Sequence, residues 1–223
     1  MGNYNKFANE YAEKTAGYEV EIESRNYYHS LLPSSLEGTK VLDVGCGSGQ
    51  DATYYAKKGA KVEGIDISEK EIEMANKLNC GEFKVGDMKN LPYDSNTFDI
   101  VTSYYALQAS DKVTKAIEEM IRVAKPGATI LIIAKNPIRN LLEGWKNDGK
   151  MDYYKEGNVT SYIFDKSIKL NEPGHTFGEY LNQSIFQKAE LKHFEERSDF
   201  PASEQVISGL VHPTYMILKF QKK

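Results

Sequence analysis

The chain reads as an α/β protein, a mainly parallel sheet with helices on both faces. Three observations predict this. Through the first 135 residues, short apolar runs alternate with stretches of helical periodicity, the pattern of strands connected by helices that pack on the sheet. The run Ala128-Thr129-Ile130-Leu131-Ile132-Ile133-Ala134 is almost continuously apolar, as a strand covered on both faces requires. Finally, 223 residues with 40% hydrophobic side chains suffice for one well-formed core.

The elements follow in order. Residues 19–32 place Val20, Ile22, Tyr27, Leu31 and Leu32 at helical spacing, and Pro33 stops them. Lys40-Val41-Leu42-Asp43-Val44 is a strand that runs into glycines. Residues 49–58 form a helix ended by Gly59, and Lys61 to Asp66 form a second strand. Ser68 with Glu71 three residues later is a capping-box start for a helix reaching about Asn79. Glu82 to Gly86 and Phe98 to Ser103 are strands, and Lys112 to Val123 is a helix stopped by Lys125-Pro126-Gly127. After Ala134 the pattern changes. Residues 136–176 are poor in long apolar runs and carry several Gly, Asn, Tyr and Lys residues. They read as an insertion that caps something. Residues 177–189 return to helix, and 191–198 and 214–222 read as two closing strands. One domain spanning 1–223 is the economical description.

Composition excludes several classes. Lys and Arg number 28 against 32 Asp and Glu, for a net charge of −4, which argues against nucleic acid as a partner. No window approaches the length of a membrane span, and Met1 to Lys6 lacks a signal-peptide layout. Cys46 and Cys80 are too few for a disulfide framework or a four-cysteine metal site. The expectation is a cytoplasmic globular protein that binds neither membrane nor metal. Oligomeric state is not readable.

The most informative stretch is Val41-Leu42-Asp43-Val44-Gly45-Cys46-Gly47-Ser48-Gly49-Gln50. A strand enters three alternating glycines and a helix begins. Such a turn brings backbone close to a ligand and points helix N–H groups at an anionic end, at the strand ends where open parallel sheets bind ligands. The dinucleotide fingerprint Gly-x-Gly-x-x-Gly fails by one residue, at Gln50. A plain tight turn is the competing reading. Asp66 ends the second strand, where its carboxylate can accept from two ribose hydroxyls or simply cap the helix near Ser68. Asp87, after the third strand, can accept from an adenine amine or be an ordinary turn aspartate. Three polar features at three successive strand ends point to a nucleoside ligand together better than any one does alone.

These residues resemble the class I S-adenosylmethionine-dependent methyltransferases, specifically the small-molecule "methyltransferase type 11" branch. Val41 to Gly49 is similar to that family's first motif, which brings in Asp43, Gly45, Gly47 and Gly49. Gly64-Ile65-Asp66-Ile67-Ser68 resembles the second, where the acid holds ribose and Ile67 lies against adenine. Gly86-Asp87-Met88 to Tyr93 resembles the third, with Asp87 on the adenine amine and Met88 beside it. Phe98 to Ser103 resembles the fourth, which places Ser103 near the methionine moiety, and Arg122 to Gly127 resembles the signature before the fifth strand. The resemblance implies a Rossmann-like seven-stranded sheet whose last strand is antiparallel, with a small cap after the fifth strand. It implies S-adenosylmethionine as methyl donor, S-adenosylhomocysteine as product, and a small-molecule acceptor.

The resemblance also implies that residues 1–35 form a helical lid over the donor. Tyr4, Phe7 and Tyr11 fall on one helical face there, with Tyr11 a candidate against the sulfonium and Tyr18 and Arg25 candidates for the methionine carboxylate. The catalytic residue is unknown. His175, between cap and helix, and Tyr11 are candidates, and packing or capping roles compete for both. Trp145, Tyr153, Tyr154, Tyr162 and Phe164 make the cap aromatic. His212 and Cys46 read as structural. Tyr104-Tyr105-Ala106-Leu107-Gln108 departs from the Asn/Asp-Pro-Pro-Tyr motif of enzymes that methylate base amines, which weakens a nucleic-acid acceptor. Two other classes share the features: a nicotinamide-dependent oxidoreductase, and a donor-binding module without turnover.

Overall fold

The computed structural model describes residues 23–149, 152–154, 157–163, 168–198 and 206–223. Its seven-stranded sheet is built from β1 (Lys40–Val44), β2 (Lys61–Asp66), β3 (Glu82–Val85), β4 (Phe98–Tyr104), β5 (Ala124–Lys135), β8 (Ala189–Arg197) and β9 (Tyr215–Lys222). The order across it is β3-β2-β1-β4-β5-β9-β8. The first five strands are mutually parallel, and β9 runs antiparallel between β5 and β8. The chain works outward from β1 to β3 and then returns to β4. The crevice between β1 and β4 is therefore the topological switch point, where open α/β sheets bind ligands.

The helices are α1 (Glu23–Ser30), α2 (Gln50–Lys57), α3 (Glu69–Lys77), α4 (Val113–Val123), α5 (Pro137–Asp148), and the short α6 (Phe177–Tyr180) and α7 (Gln183–Lys188). Alternation along the strands divides the core between the two faces. On β5, Ile130 and Ile132 join Val113, Ala116, Ile117 and Met120 of α4, whereas Leu131 and Ile133 join Tyr28 of α1, Ala52 and Tyr55 of α2, and Ile72 and Ala75 of α3. Val113, Ala116, Ile117, Met120 and Ile121 are all buried, the stripe that a one-sided helix needs.

Two regions differ from the sequence expectation. The helix expected over 177–189 is two pieces. Asn182 interrupts it because its side-chain oxygen accepts from the Ser184 and Ile185 N–H groups, at 3.1 and 3.3 Å, and so starts α7 afresh as an N-cap. Residues 136–176, read from the sequence as a capping insertion without assigned elements, carry regular structure. Asn136 caps α5 by accepting from Ile138 N–H at 2.8 Å, Pro137 opens its first turn, and Gly149 ends it in the left-handed conformation. Beyond it, β6 (Asn158–Ile163) and β7 (Ile168–Pro173) pair antiparallel as a separate two-stranded sheet.

This segment is rooted on the end of β5 by buried charges. Lys135 Nζ lies 2.5 Å from Glu172 and 3.2 Å from Glu143, and Arg139 Nε lies 2.9 Å from Glu143. Ser161 Oγ donates to Glu172 at 2.9 Å. Two cations face two carboxylates, all withdrawn from solvent.

Candidate functional site

The turn after β1 is shaped by its neighbours. Gly45 N–H and Cys46 N–H both donate to the Ile65 carbonyl, at 2.7 and 3.1 Å, and Gly49 N–H closes back on the Cys46 carbonyl at 3.0 Å. Gly45 has φ 74°, and a methyl group there would stand 2.2 Å from Ala106 Cβ, so only glycine fits. Gly47 has φ 50°, and among the described residues a methyl group there would meet only the Glu71 Oε2 oxygen, 3.6 Å away. Asp66 ties turn to strand: its carboxylate accepts from Gly47 N–H at 3.0 Å and Ser68 N–H at 2.9 Å.

Above this turn lies a cavity of about 380 Å³, within the range of small-molecule sites. Gly45 and Gly47, Asp66 and Ile67, and Asp87 and Met88 all line it, so three consecutive strand ends meet there. Its other walls include Arg25, Gln50, Asp51, Tyr104, Tyr105 and Ala106. Three predicted residues lie behind the wall. Asp43 is buried and accepts from Thr102 Oγ at 3.1 Å. Ser103 is buried with its hydroxyl given to the Val44 carbonyl at 2.8 Å. Gly49 faces Ala75 and Leu78 of α3. Tyr11, with Tyr4, Phe7, Tyr18 and Phe164, lies outside the described residues.

The helix α1 is fastened over the mouth. Arg25 donates to Gln50 at 2.7 Å, sits 3.3 Å from Asp51 and lies over the Tyr104 ring at 4.5 Å. His29 bonds Asp51 at 2.8 Å and stacks on Tyr54 at 3.7 Å. Opposite, Lys89 bridges to Asp111 at 2.6 Å.

The wall is acidic. Asp51, Asp66, Glu71, Asp87 and Asp111 face it against Arg25 and Lys89, a field that favours a cationic ligand. Burial raises the Asp66 carboxyl, opposed by the backbone N–H groups of Ser68, Gly47 and Ile67. Burial, then the Asp51 charge, pushes Asp43 well above the usual carboxylate range. Burial, then the charges of Asp43 and Asp66, lifts the Cys46 thiol, which keeps it protonated and unreactive.

His175 is buried away from this cavity. Its Nε2 lies 3.1 Å from the Gln108 carbonyl and its Nδ1 3.3 Å from Glu179, and its ring packs edge-on to Tyr180. Nε2 joins residues 174–179 to the turn at Leu107–Ala109, and Nδ1 is engaged by Glu179 within that segment. The ring also borders a second cavity of about 280 Å³, shared with Asn140 and Tyr153. Of the aromatics in 136–176, Tyr153 receives the Phe177 N–H at 2.8 Å, whereas Tyr154 is largely exposed and Trp145 and Tyr162 partly so.

Sequence reasoning passed over Gln50, Glu71 and the pair Tyr104 and Tyr105 as cavity residues. Tyr105 gave no advance signal, since nothing in its type announces φ 49°. Among the described residues no group of three or more His, Cys, Asp or Glu side chains is placed to hold a metal ion, and no helix is long and apolar enough to cross a membrane.

Sheet order and the three-strand cavity define the class: this is the α/β fold of the class I S-adenosylmethionine-dependent methyltransferases. Residues 42–132 match the family described as methyltransferase domain. Over 156 residues the chain is 30% identical to the demethylmenaquinone methyltransferase of Clavibacter sepedonicus, covering 67% of this chain and 59% of that protein. Over 108 residues it is 38% identical to norajmaline N-methyltransferase of Rauvolfia serpentina, covering 45% of this chain and 37% of that one. The chain thus spans about half the length, or less, of these relatives. Among solved structures, the S-adenosylmethionine dependent methyltransferase of Mesorhizobium loti superposes with TM-score 0.70 at 22% identity, covering 88% of this chain and 96% of that one.

Proposed function

We propose that this chain transfers a methyl group from S-adenosylmethionine to a small-molecule acceptor. The observation that carries the reading is the convergence of Gly47, Asp66 and Asp87 on one cavity from three successive strand ends. The cavity fits the donor on the chemistry of its wall. It offers close backbone at Gly47, carboxylates for hydroxyl and amine donors at Asp66 and Asp87, apolar flanks for a base at Ile67 and Met88, and an acidic field for a sulfonium. The bound donor supplies an activated methyl group, displaced in line by the acceptor.

The protein's work is then positioning and exclusion of water. Asp66 holds the ribose, Asp87 the adenine amine, and Ile67 and Met88 sandwich the ring. Arg25 and the N–H groups at the start of α2 face the carboxylate end. The rings of Tyr104 and Tyr105 line the same cavity and would offer an attractive contact to a sulfonium. Asp43 and Ser103 support the turn from behind. Of the N-terminal segment, the described helix α1 brings Arg25 to the cavity wall, and residues 136–176 cap the acceptor side. His175 holds the cap to the Leu107–Ala109 turn and so positions the acceptor pocket. A general base is needed only for an acceptor that must lose a proton.

The two relatives act on different acceptors by their names, so they do not point to one acceptor here. Absence of a basic excess, at net charge −4, favours a small molecule over nucleic acid. Calorimetry with S-adenosylhomocysteine tests the reading. The wild type should bind and Asp66→Ala should bind at least tenfold more weakly. No binding by the wild type, or binding of NADH in its place, overturns it.

A further inference from the structure

One cavity side chain carries an oxygen without a hydrogen-bond partner among the described residues. Glu71 lies in the first turn of α3 with 6% of its surface exposed. It lines the donor cavity, yet its Oε2 is buried without a hydrogen-bond partner among the described residues. In a capping box this carboxylate would reach back to the Ser68 N–H. Here only half of the box forms. Ser68 Oγ accepts from Glu71 N–H at 3.3 Å, but the Ser68 N–H is taken by Asp66 at 2.9 Å. The Glu71 side chain is thereby released from capping and turned to the cavity. Its Oε2 stands 3.6 Å from where a Gly47 methyl group would be, and the Gly47 N–H is bonded to Asp66 at 3.0 Å. Two carboxylates thus abut the same glycine. A buried acceptor without a donor is costly, and it is relieved when a ligand brings one.

We propose that Glu71 is a donor-binding residue whose free carboxylate oxygen accepts a hydrogen bond from one hydroxyl of the donor's ribose, so that Asp66 and Glu71 together read the vicinal diol. This rests on the cavity being the S-adenosylmethionine site. The Asp66 oxygens are already held by two backbone N–H groups, so they fix the diol's position. Glu71, with an oxygen unspent, adds the discrimination between a ribose and a deoxyribose. A charge-assisted bond of this kind is among the stronger ones.

The test is calorimetric titration of S-adenosylhomocysteine, and of its 2′-deoxy and 3′-deoxy analogues, into wild type, Glu71→Ala and Glu71→Gln. Wild type should bind the parent compound at least tenfold more tightly than one of the two deoxy analogues. Glu71→Ala should lose about that factor on the parent compound and show equal affinity for the parent and that analogue. Glu71→Gln, which keeps an acceptor oxygen, should fall between. Melting curves of the free variants report whether each is folded. Wild-type binding that Glu71→Ala leaves within twofold overturns the inference. So does a loss in Glu71→Ala with the deoxy discrimination intact, because Glu71 would then act without touching the diol. Absence of any wild-type binding instead overturns the reading of the cavity itself.

Discussion

The cavity at the strand ends and the root of the 136–176 segment on β5, proposed above as donor site and cap, both bury ionised side chains, and they do so in opposite ways. At the cap root, Lys135 and Arg139 meet Glu143 and Glu172 within 3.2 Å, and Ser161 takes a further Glu172 lone pair. Among the described residues, carboxylates outnumber cations at the cavity and Glu71 keeps an oxygen with no partner. A closed network of charges is complete without anything else, and it serves to join two pieces of chain. An open acidic wall is incomplete until something arrives. The distinction is one of charge: buried ionised groups that only join chain segments are normally paired, and among the described residues the buried Glu71 oxygen is not.

The largest effect tests the closed side. Lys135→Met leaves Glu143 and Glu172 facing each other across a buried space with one cation gone. Breaking a buried pair in this way costs about 3–5 kcal/mol, and urea denaturation should show a loss of that size. A loss under about 1 kcal/mol would mean that water reaches the cluster, and the contrast with the cavity would disappear.

The second effect has the reverse sign. Burial, then the Asp66 charge, raises Glu71 from 4.5 to about 7. The folded state therefore binds a proton that the unfolded state has released between those two values, so this group lowers stability as pH rises from about 4.5 to 7. At one pKa unit per about 1.4 kcal/mol, the full cost is about 3 kcal/mol above pH 7. Glu71→Gln should accordingly raise the stability of the ligand-free protein at pH 8 by up to that amount and leave it unchanged near pH 4. The other ionisable groups around this wall are Asp66, Asp87, Lys89, Asp111, Asp51 and Arg25, and all are present in both proteins. A variant that is less stable at pH 8 would make Glu71 structural and place it with the cap root. A gain in stability paired with weaker donor binding is the trade expected of a functional residue.

What was readable beforehand divides along the same line. The strands were legible because their buried faces are apolar, and the sequence from Val41 to Gln50 displayed its glycines openly. Asp66 and Asp87 could be placed because they follow strand ends. The cap elements were not legible. The inward residues of α5 are Pro137, Arg139, Asn140, Glu143 and Gly144, so the buried side of that helix carries no apolar stripe for periodicity to detect. Asn136-Pro137 was the usable signal, a cap followed by a first-turn proline. Glu71 was misjudged for a related reason. Serine followed three residues later by glutamate is the sequence of a closed capping box, and only the geometry shows that Asp66 has taken the partner Glu71 would have used. Asn182 hid a helix break inside a helical pattern in the same way, by a side chain competing with the backbone.

A third prediction separates neighbouring glycines. Gly47→Ala should fold, since its methyl group would meet only Glu71 Oε2, at a cost of about 1–2 kcal/mol for the left-handed backbone. Its methyl group would stand beside the Glu71 oxygen, and S-adenosylhomocysteine binding by calorimetry should fall at least tenfold. Gly45→Ala should instead lose more stability, because its methyl group would collide with Ala106 at 2.2 Å. Equal melting points for the two variants would show that the turn yields freely, contrary to its hydrogen bonding.

The smallest effect concerns Lys89, a charge on the cavity rim that is paired but wet. Its Nζ lies 2.6 Å from Asp111 and 3.6 Å from Asp87, with the Asp111 side chain half exposed. The bond to Asp111 raises Lys89 and correspondingly lowers Asp111, but solvent screens such a pair, and exposed pairs measure about 0.2–1 kcal/mol. Lys89→Met should therefore shift urea stability by less than about 1 kcal/mol, and even that should fade when salt is raised to about 1 M, where the screening length falls to about 3 Å. Short distance alone would rank this bridge beside Lys135–Glu172, since the two differ by a tenth of an ångström. If Lys89→Met costs as much as Lys135→Met and salt does not reduce it, then distance rather than burial governs these charges, and reading function from the unpaired oxygen of Glu71 loses its physical basis.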